Sequence, residues 1–373
     1  GLFKKLFSSE KKIETTTSKN QLLIEKVQTL AYNENLHELL NVPENKILIL
    51  KWGAFGDIIA STPAINSILK HYSKARIDIV SDYRFVELFP FGETFYNHFY
   101  DIKQNKLSLI KKIRKEKYDL VINLKWTSEG AAIISYLSGA KYRLGSGPLK
   151  YRLFYNIKSP YHSGRYHEVL RNLDIVKGIC SNDEKVEFIY YIDSGSEQLA
   201  ENFIKNNNLE NRFILGVHPG ASKPSKRWNI ERFKNVINKI LSIYDISIIL
   251  FYGKNEKQEI QNIFKEINDK NVILGPYTNN IRELAALVKK CNLFFCNNSG
   301  PMNLAVSLGI PTVAILGSSH IDDWGPYGNK NVAIKSPLYL HSFNEEDEKI
   351  AMNAIRTETV FKILSEKIKT LYE

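Results

Sequence analysis

The sequence predicts an α/β fold of two Rossmann-like domains, each built on a parallel sheet, that face a central cleft. Apolar strand-like runs alternate with helical runs along most of the chain, which is typical of βαβ units. This alternation occurs twice, before and after a polar segment at residues 193–211, which we interpret as a linker. In both halves a glycine turn follows a strand and precedes a helix, the place where open α/β sheets bind ligands.

The length and composition of the chain agree with two domains. The chain has 373 residues, of which 43% are hydrophobic and 24% charged, enough for two cores. We divide it into an amphipathic, basic N-terminal appendage, an N-terminal and a C-terminal Rossmann-like domain, and a final helix that could return to the first domain. These parts are residues 1–45, 46–195, 196–344 and 345–373.

The predicted strands are short apolar runs between turn residues. In the first half they are residues 47–50, 77–80 and 120–124, and in the second half residues 213–217, 246–252, 272–274, 293–296 and 312–316. Helical spacing predicts helices at residues 63–72 and 230–243, and again after residue 345.

The net charge of +11 favours an anionic partner. Zinc-finger spacing and RNA-recognition signatures are absent from the sequence, so we expect no nucleic-acid partner. The basic clusters, which include Lys141, Arg143 and Arg165, could equally be solvated faces. Residues 2–7 place apolar side chains beside two lysines, so they could lie on an anionic membrane surface or form a frayed tail.

We expect a cytoplasmic protein. The sequence has no apolar run of the length that spans a membrane, and charges stand where a signal peptide has its apolar core. Cys180, Cys291 and Cys296 have no metal-binding spacing, so we predict that they are reduced and buried.

The first candidate segment is Gly53-x-x-Gly56-Asp57, directly after a predicted strand. Its glycines would let a ligand approach the backbone. A carboxylate at Asp57 could accept the proton of an attacking hydroxyl, or it could simply cap the helix.

The second candidate segment follows the strand at residues 213–217. Ser222, Ser225, Lys226 and Arg227 supply the hydroxyls and positive charges that bind a diphosphate.

The third candidate segment, residues 296–305, is another strand-to-helix turn. Ser299 and Gly300 precede a helix with Pro301 at its first position, where free backbone N–H groups bind phosphate oxygens. The chain contains no Asp-x-Asp, so we expect no metal at the diphosphate.

Taken in order, these segments resemble glycosyltransferase family 9, the ADP-heptose:lipopolysaccharide heptosyltransferases. The resemblance rests on ILILKWGAFGDIIASTPAI at 47–65, GVHPGASKPSKRWNIERF at 216–233, NSGPMNLAVSLGIPTVAILG at 298–317 and WGPYG at 324–328. Weaker matches are YDLVINL at 118–124 and HEVLRNL at 167–173, so it spans about residues 46–365.

The resemblance implies a GT-B architecture and an inverting transfer of heptose from an ADP-heptose-type donor, without metal or other cofactor, to a lipopolysaccharide core or related glycan. It implies that Asp57 is the general base, that Lys226 contacts the donor diphosphate, and that the first domain binds an anionic glycolipid or glycan acceptor. The acceptor residues expected there are Lys141, Arg143 and Arg165. One further donor residue, Gly56, is expected in the turn of the first domain. In the second domain Glu256 is expected at the ribose, and the other expected donor residues are Ser222, Ser225, Arg227, Asn298, Ser299, Gly300, Pro301, Met302 and Asn303.

The sequence departs from the family at two positions of the third segment. Asn298 and Asn303 stand where the family usually has Asp and His, which removes a charge and a titratable imidazole. A transferase of the same fold with another nucleotide-sugar or a protein acceptor therefore remains an alternative, as does an inactive nucleotide-sugar-binding homologue. The acceptor class also suggests a place on the cytoplasmic face of the bacterial inner membrane.

Overall fold

A computed structural model of the chain describes residues 34–88, 98–180, 186–317, 319–338 and 344–372. The amphipathic segment predicted at residues 2–7 lies outside these ranges. Within them, every helix is too short or too polar to cross a bilayer.

The first sheet has six parallel strands in the order β3-β2-β1-β4-β5-β6. The strands are β1 (Lys46–Leu50), β2 (Arg76–Ser81), β3 (Phe99–Asp101), β4 (Leu120–Asn123), β5 (Tyr142–Gly145) and β6 (Ile157–Lys158). Its helices are α1 (Glu34–Leu40), α2 (Phe55–His71), α3 (Lys106–Glu116), α4 (Glu129–Leu137), α5 (Leu149–Arg152) and α6 (Glu168–Val176), with a 3₁₀ turn at Tyr83–Leu88. We call this part the first lobe.

The second sheet is also parallel, in the order β12-β11-β10-β7-β8-β9. Its strands are β7 (Ile214–His218), β8 (Ser247–Leu250), β9 (Val272–Leu274), β10 (Leu293–Asn297), β11 (Thr312–Leu316) and β12 (Val332–Lys335). Its helices are α7 (Ser194–Asn206), α8 (Ile230–Leu241), α9 (Lys257–Ile267), α10 (Ile281–Val288), α11 (Gly300–Ser307), α12 (Ile321–Trp324), α13 (Glu345–Ala354) and α14 (Thr357–Tyr372), with a 3₁₀ turn at Pro224–Lys226. We call this part the second lobe.

All eight predicted strands are confirmed within a few residues. The strands that the sequence did not predict are β3, β5, β6 and β12, which have two to four residues each and lie toward the edges of their sheets. Such strands carry a weak signal because edge positions need less apolar surface. The three cysteines are free and buried, as predicted.

The helix predicted to begin at residue 63 begins at Phe55 instead. Pro63 lies inside α2 and has no N–H to donate to the carbonyl four residues earlier. The hydroxyl of Thr62 donates to that carbonyl, at Ile59, over 2.8 Å. The helix can therefore start directly at the glycine turn.

The linker predicted at residues 193–211 is wrong, because most of it is helix α7. Asp193 caps this helix by accepting from the amide of Ser196 over 2.8 Å. Ala200 and Ile204, one turn apart, are buried in the second lobe. The polar residues that suggested a linker form the exposed face of the helix.

The end of the chain packs on the second lobe and does not return to the first. Its buried side chains belong to the core on one face of the second sheet: Met352, Ile355, Val360, Leu364 and Ile368. The Trp228 indole N–H donates to the carbonyl of Ile355 over 3.0 Å, which anchors the connection between α13 and α14. An apolar stripe predicts a helix but not which lobe it covers.

The two lobes pack directly against each other beneath the cleft. Ala285 and Leu304 of the second lobe are buried in the same cluster as the core of the first lobe. The guanidinium of Arg282 donates to the carbonyl of Glu87 over 2.8 Å. The carboxyl ends of both sheets therefore have a fixed relation at the cleft.

Candidate active site at the interlobe cleft

Asp57 lies at the cleft, in the first turn of α2. One carboxylate oxygen accepts from the amide of Ala54 over 3.1 Å, and the other is 3.5 Å from Nζ of Lys125. Gly53 has φ +157°, and a Cβ there would lie 2.8 Å from Cγ of Asp57. Asp57 thus caps the helix and also lines the cavity with a half-buried carboxylate, so both predicted roles are compatible with its position.

A buried charge network lies behind Asp57. Nζ of Lys51, directly after β1, is 3.4 Å from Oε1 of Glu168 and donates to Oδ1 of Asn172 over 3.1 Å. Lys51 is only 1% exposed. Burial lowers the pKa of Lys51 more than the nearby carboxylates of Glu168 and Asp57 raise it.

Arg171 ties this network to the cleft wall. Its guanidinium lies over the ring of Trp126, 4.6 Å from the centroid, and its Nε is 3.6 Å from Glu168. It also donates to the carbonyls of Gly164 and Tyr166, over 3.2 and 3.1 Å. One buried arginine therefore fixes the loop that forms the rim of the cleft.

A cavity of about 330 Å³ opens between these groups and the second lobe. Its walls come from Lys51, Asp57, Lys125, Trp126, Thr127, Gly164, Tyr166, Glu168, Arg171, Asp323 and Trp324. Both lobes contribute, since Asp323 and Trp324 belong to α12. The size is at the small end of ligand-binding pockets and suits a sugar unit.

Two hydrogen bonds join the lobes at the rim of this cavity. The amide of Tyr166 donates to Asp323 over 3.0 Å, and Nε2 of His167 donates to the carbonyl of Gly325 over 2.9 Å. Burial lowers the pKa of His167. The neutral imidazole can make this bond, so the contact persists at neutral pH.

The turn after β10 presents the start of α11 to the same cleft. The first amides of a helix have no intrahelical acceptor, and here they follow Ser299, whose buried Oγ makes no hydrogen bond within the described residues. Pro301 has no N–H, and the side chain of Met302 is fully buried. Of these two predicted donor residues, only the Met302 amide can face a ligand.

The two glycine turns meet across the cleft. A Cβ at Gly56 would lie 2.7 Å from Nδ2 of Asn303, and a Cβ at Gly300 would collide with the ring of Phe55. Asn303 also donates to the carbonyl of Ser299 over 3.3 Å. The turn that bears Asp57 and the start of α11, separated by more than half the chain, are therefore in contact.

Lys226 ends the short 3₁₀ turn after β7, with Ser225 beside it and Ser222 exposed. Within the described residues its ammonium makes no hydrogen bond or ion pair, which leaves it free to bind an anion. Arg227 is engaged inward, because its Nε donates to the carbonyl of Ala221 over 2.9 Å and its Nη2 is 3.5 Å from Glu256.

Glu256 is 7% exposed and lies beneath Gly220. One oxygen accepts from the amide of Gly253 over 2.7 Å and is 3.3 Å from Nε2 of His218. Burial would raise the pKa of Glu256, but its bonds to His218 and Gly253 and the charge of Arg227 hold it below the ordinary value. The carboxylate predicted to bind the ribose is thus already engaged within the lobe.

The structure does not bring Lys141 and Arg143 to the cavity. They lie at the amino end of β5, whereas the cavity opens at the carboxyl ends of the strands. Arg143 donates to the carbonyls of Ala140 and Phe154, over 2.8 and 3.0 Å. Arg165 is exposed between two cavity residues, so this third predicted residue does lie at the rim.

Several cavity residues were missed in the sequence, although two signals could have found them. Lys51 and Lys125 each follow a strand of the first sheet, β1 and β4, and neighbouring parallel strands end at the same edge. Glu168 and Arg171 belong to HEVLRNL, which resembled the family weakly but suggested no role.

The chain is similar to known proteins along most of its length. The model of "Glycosyltransferase family 9 (heptosyltransferase)" matches residues 106–352. Lipooligosaccharide heptosyltransferase 2 of Campylobacter jejuni is 28% identical over 292 residues, 75% of this chain and 83% of the relative.

Solved structures share the fold at low sequence identity. The family 9 glycosyl transferase of Veillonella parvula has a TM-score of 0.72 at 21% identity, covering 88% of this chain and 99% of that one. E. coli heptosyltransferase WaaC with ADP has a TM-score of 0.65 at 17% identity, covering 86% of this chain and 99% of that one. The two facing Rossmann-like lobes are thus a GT-B fold.

Proposed function

Because the chain belongs to glycosyltransferase family 9 and is therefore a glycosyltransferase, we propose that it transfers a heptose from an ADP-heptose-type donor to a lipopolysaccharide core or related glycan. The observation that carries the proposal is the contact of the turn that bears Asp57 with the start of α11, through Gly56 and Asn303. A proton acceptor and a phosphate-binding turn face one another there. The names of the Campylobacter relative and of WaaC with ADP support the sugar and the nucleotide.

The reaction we propose is a single displacement with inversion. The carboxylate of Asp57 takes the proton of an acceptor hydroxyl as its oxygen bonds to the anomeric carbon. The bond from that carbon to the diphosphate breaks, and the nucleoside diphosphate leaves with the electron pair. The Ala54 amide and Lys125 contact the two oxygens of Asp57 and so orient its carboxylate toward the cavity.

The donor side relies on amides and one free cation. The amides at the start of α11 and the ammonium of Lys226 would stabilise the charge that develops on the leaving diphosphate. Because these groups can supply the positive charge that a metal would otherwise bring, we propose a metal-independent reaction, and we expect EDTA to leave turnover unchanged. Inactivation by EDTA that manganese or magnesium reverses would contradict this part of the proposal.

The acceptor side is the cavity around Asp57. Lys125 and Arg165 place positive charge at the hydroxyl-activating carboxylate and at the rim, which suits an anionic glycan. Trp324 brings an aromatic surface from the second lobe. For such an acceptor we propose that the reaction takes place at the cytoplasmic face of the inner membrane.

The first experiment with the purified protein identifies which nucleotide-sugar it binds. Thermal unfolding with ADP, UDP, GDP and their sugars should show stabilisation by the adenine compounds, since a ligand that binds the native state raises its stability. Transfer should then be measured with ADP-heptose and core oligosaccharide lacking the accepted heptose. A shift with another nucleotide-sugar alone would favour the changed-donor alternative that Asn298 and Asn303 suggest. Donor binding without transfer or hydrolysis would favour the inactive homologue.

A further inference from the structure

An apolar surface stands exposed on the outer flank of the first lobe. Leu149 and Leu153, at the start of α5 and directly after its end, are 63% and 80% exposed. They are four residues apart and so lie on the same side of this helical turn. Tyr151 and Tyr155 occupy the inner side, where they pack with Ala132. The buried tyrosines thus hold the leucines outward.

Aromatic and basic side chains extend this surface over α4. The ring of Tyr136, 53% exposed, lies 5.8 Å from that of Phe154, the neighbour of Leu153. The guanidinium of Arg143 lies over the Tyr136 ring at 5.6 Å, and Nζ of Lys150 lies 5.0 Å from the centre of the Tyr151 ring. We call Tyr136, Leu149, Lys150, Arg152 and Leu153 the α5 flank.

The charge of this region is of one sign. Residues 130–167 contain six lysines and arginines and no aspartate or glutamate. The six are Lys141, Arg143, Lys150, Arg152, Lys158 and Arg165. The chain has 40 acidic residues, yet this stretch, which carries the flank, contains none, and its excess of positive charge favours an anionic partner.

The α5 flank is close to the cavity. Gly147, two residues before α5, would place a Cβ 2.8 Å from the carbonyl oxygen of Trp126, a cavity residue. A molecule held on the flank would therefore be near the acceptor side of the cleft.

We propose that the α5 flank docks the protein on an anionic phospholipid bilayer, with Leu149 and Leu153 inserted among the lipids. Exposed leucines ringed by lysine and arginine are the combination that binds such surfaces, since apolar insertion and attraction to anionic headgroups act together. The proposal rests on the proposed function, because a lipid-linked acceptor is presented at a membrane surface. It assigns membrane contact to the folded first lobe and not to residues 2–7.

Co-sedimentation of the full chain with vesicles tests the proposal. We expect binding to phosphatidylcholine vesicles that contain about one third phosphatidylglycerol and little binding to pure phosphatidylcholine. Leu149→Asn with Leu153→Asn, and separately Lys150→Glu with Arg152→Glu, should each lower the fraction bound by roughly tenfold or more. Transfer to a soluble, lipid-free core oligosaccharide should remain at the wild-type rate.

Matched controls come from the second lobe. The first control, Ile243→Asn with Ile350→Asn, replaces two isoleucines that are 60% and 46% exposed. The second, Lys330→Glu with Lys335→Glu, replaces two exposed lysines. Both pairs should bind vesicles as the wild type does. Loss of binding only in a Phe3→Asn, Phe7→Asn variant, with the flank variants unaffected, would overturn the proposal.

Two further outcomes also overturn it. Equal binding to neutral and anionic vesicles would remove the role of the positive charge. The wild type could also fail to bind vesicles and instead form a dimer in sedimentation velocity. If the leucine variants dissociate that dimer, the flank binds a second copy of the chain. Since vesicle binding is measured without donor or acceptor, failure here leaves the proposed glycosyl transfer to its own assay.

Discussion

The two turns that meet at the cleft have the same backbone plan, but one carries charged side chains and the other does not. Each follows a central strand of its sheet, contains a glycine that lets the other lobe approach, and leads into a helix. The turn after β1 carries Asp57 and is backed by the ion pair of Lys51 and Glu168. The turn after β10 carries Asn298, Ser299 and Asn303, which are all neutral.

This difference separates two tasks that one plan can perform. A proton acceptor needs a basic side chain whose position is held by its neighbours, as the Asp57 carboxylate is held by the Ala54 amide and Lys125. A phosphate site works best where amides face outward and a carboxylate is absent, because an anion nearby would repel the ligand. The second lobe does keep a carboxylate, Glu256, but the structure buries it behind Gly220.

Removing the ion pair behind the turn after β1 should cause the largest loss of stability. Lys51→Met keeps the volume but leaves Glu168 with Arg171 as its remaining cation, so we expect the free energy of unfolding to fall by about 3 kcal/mol. Urea unfolding measures this. Lys46→Met, at the opposite end of β1, is the control: its ion pair with Glu116 is partly exposed, and its loss should cost less than about 1 kcal/mol. Equal losses in the two variants would mean that the buried ion pair of Lys51 stabilises the fold no more than an exposed one.

Removing the carboxylate itself should affect chemistry and not donor binding. Asp57→Asn keeps the helix cap but cannot take a proton, so turnover should fall roughly 100-fold or more while the affinity for ADP stays near that of the wild type. Single-turnover kinetics and calorimetry measure the two quantities. Asp269→Asn, before β9 and away from the cleft, should change neither. Wild-type turnover in Asp57→Asn would end its assignment as the base.

The buried carboxylate of Glu256, in the second lobe, should make the free energy of unfolding decrease as the solution becomes acidic. The pKa of Glu256 is lowered in the folded state, so the unfolded chain binds more protons in acid. Its contribution is complete above the ordinary pKa of 4.5 and is lost as the pH falls through the lower folded pKa. Glu256→Gln should be about 1 to 2 kcal/mol less stable at neutral pH, and this gap should shrink in acid. Glu210→Gln, an exposed control, should show no such gap.

The neutral turn should show the smallest effects. Asn303→Ala should weaken ADP binding by about 1 kcal/mol, or about fivefold, the worth of one hydrogen bond. The terminal phosphate of ADP itself titrates between about pH 5.5 and 8, so the informative quantity is the difference between the proteins. Asn303→Ala should follow the pH dependence of the wild type, and Asn303→His should depart from it because imidazole titrates in that window. Calorimetric titration of ADP into the three proteins measures this, and an Asn303→His profile identical to that of the wild type would show that position 303 does not face the phosphates.

Local signals in the sequence were enough for much of this molecule. Apolar runs predicted the central strands, and glycine next to a helix start predicted both turns, because strand burial and helix initiation depend on neighbouring residues. The length of α2 was misjudged, since Thr62 replaces the hydrogen bond that Pro63 lacks.

What could not be predicted depends on residues that are far apart in the sequence. Lys51 and Glu168 are 117 positions apart, and neither has a local pattern that names the other as its partner. The same holds for the placement of α14 on the second lobe and for Arg143, whose guanidinium binds backbone carbonyls instead of the cleft. In each case the partner is chosen by packing, which a local pattern does not contain.

The contacts at Gly56 and Gly300 have a consequence for genetics. A methyl group at Gly300 would collide with the ring of Phe55, and one at Gly56 would displace the amide of Asn303, in each case a side chain of the other lobe. A larger residue at either position would push the two lobes apart without touching a reacting atom. A screen scored by activity alone would therefore rank these glycines with Asp57, and natural variation at them would be restricted by spacing as tightly as at a residue that takes part in the chemistry.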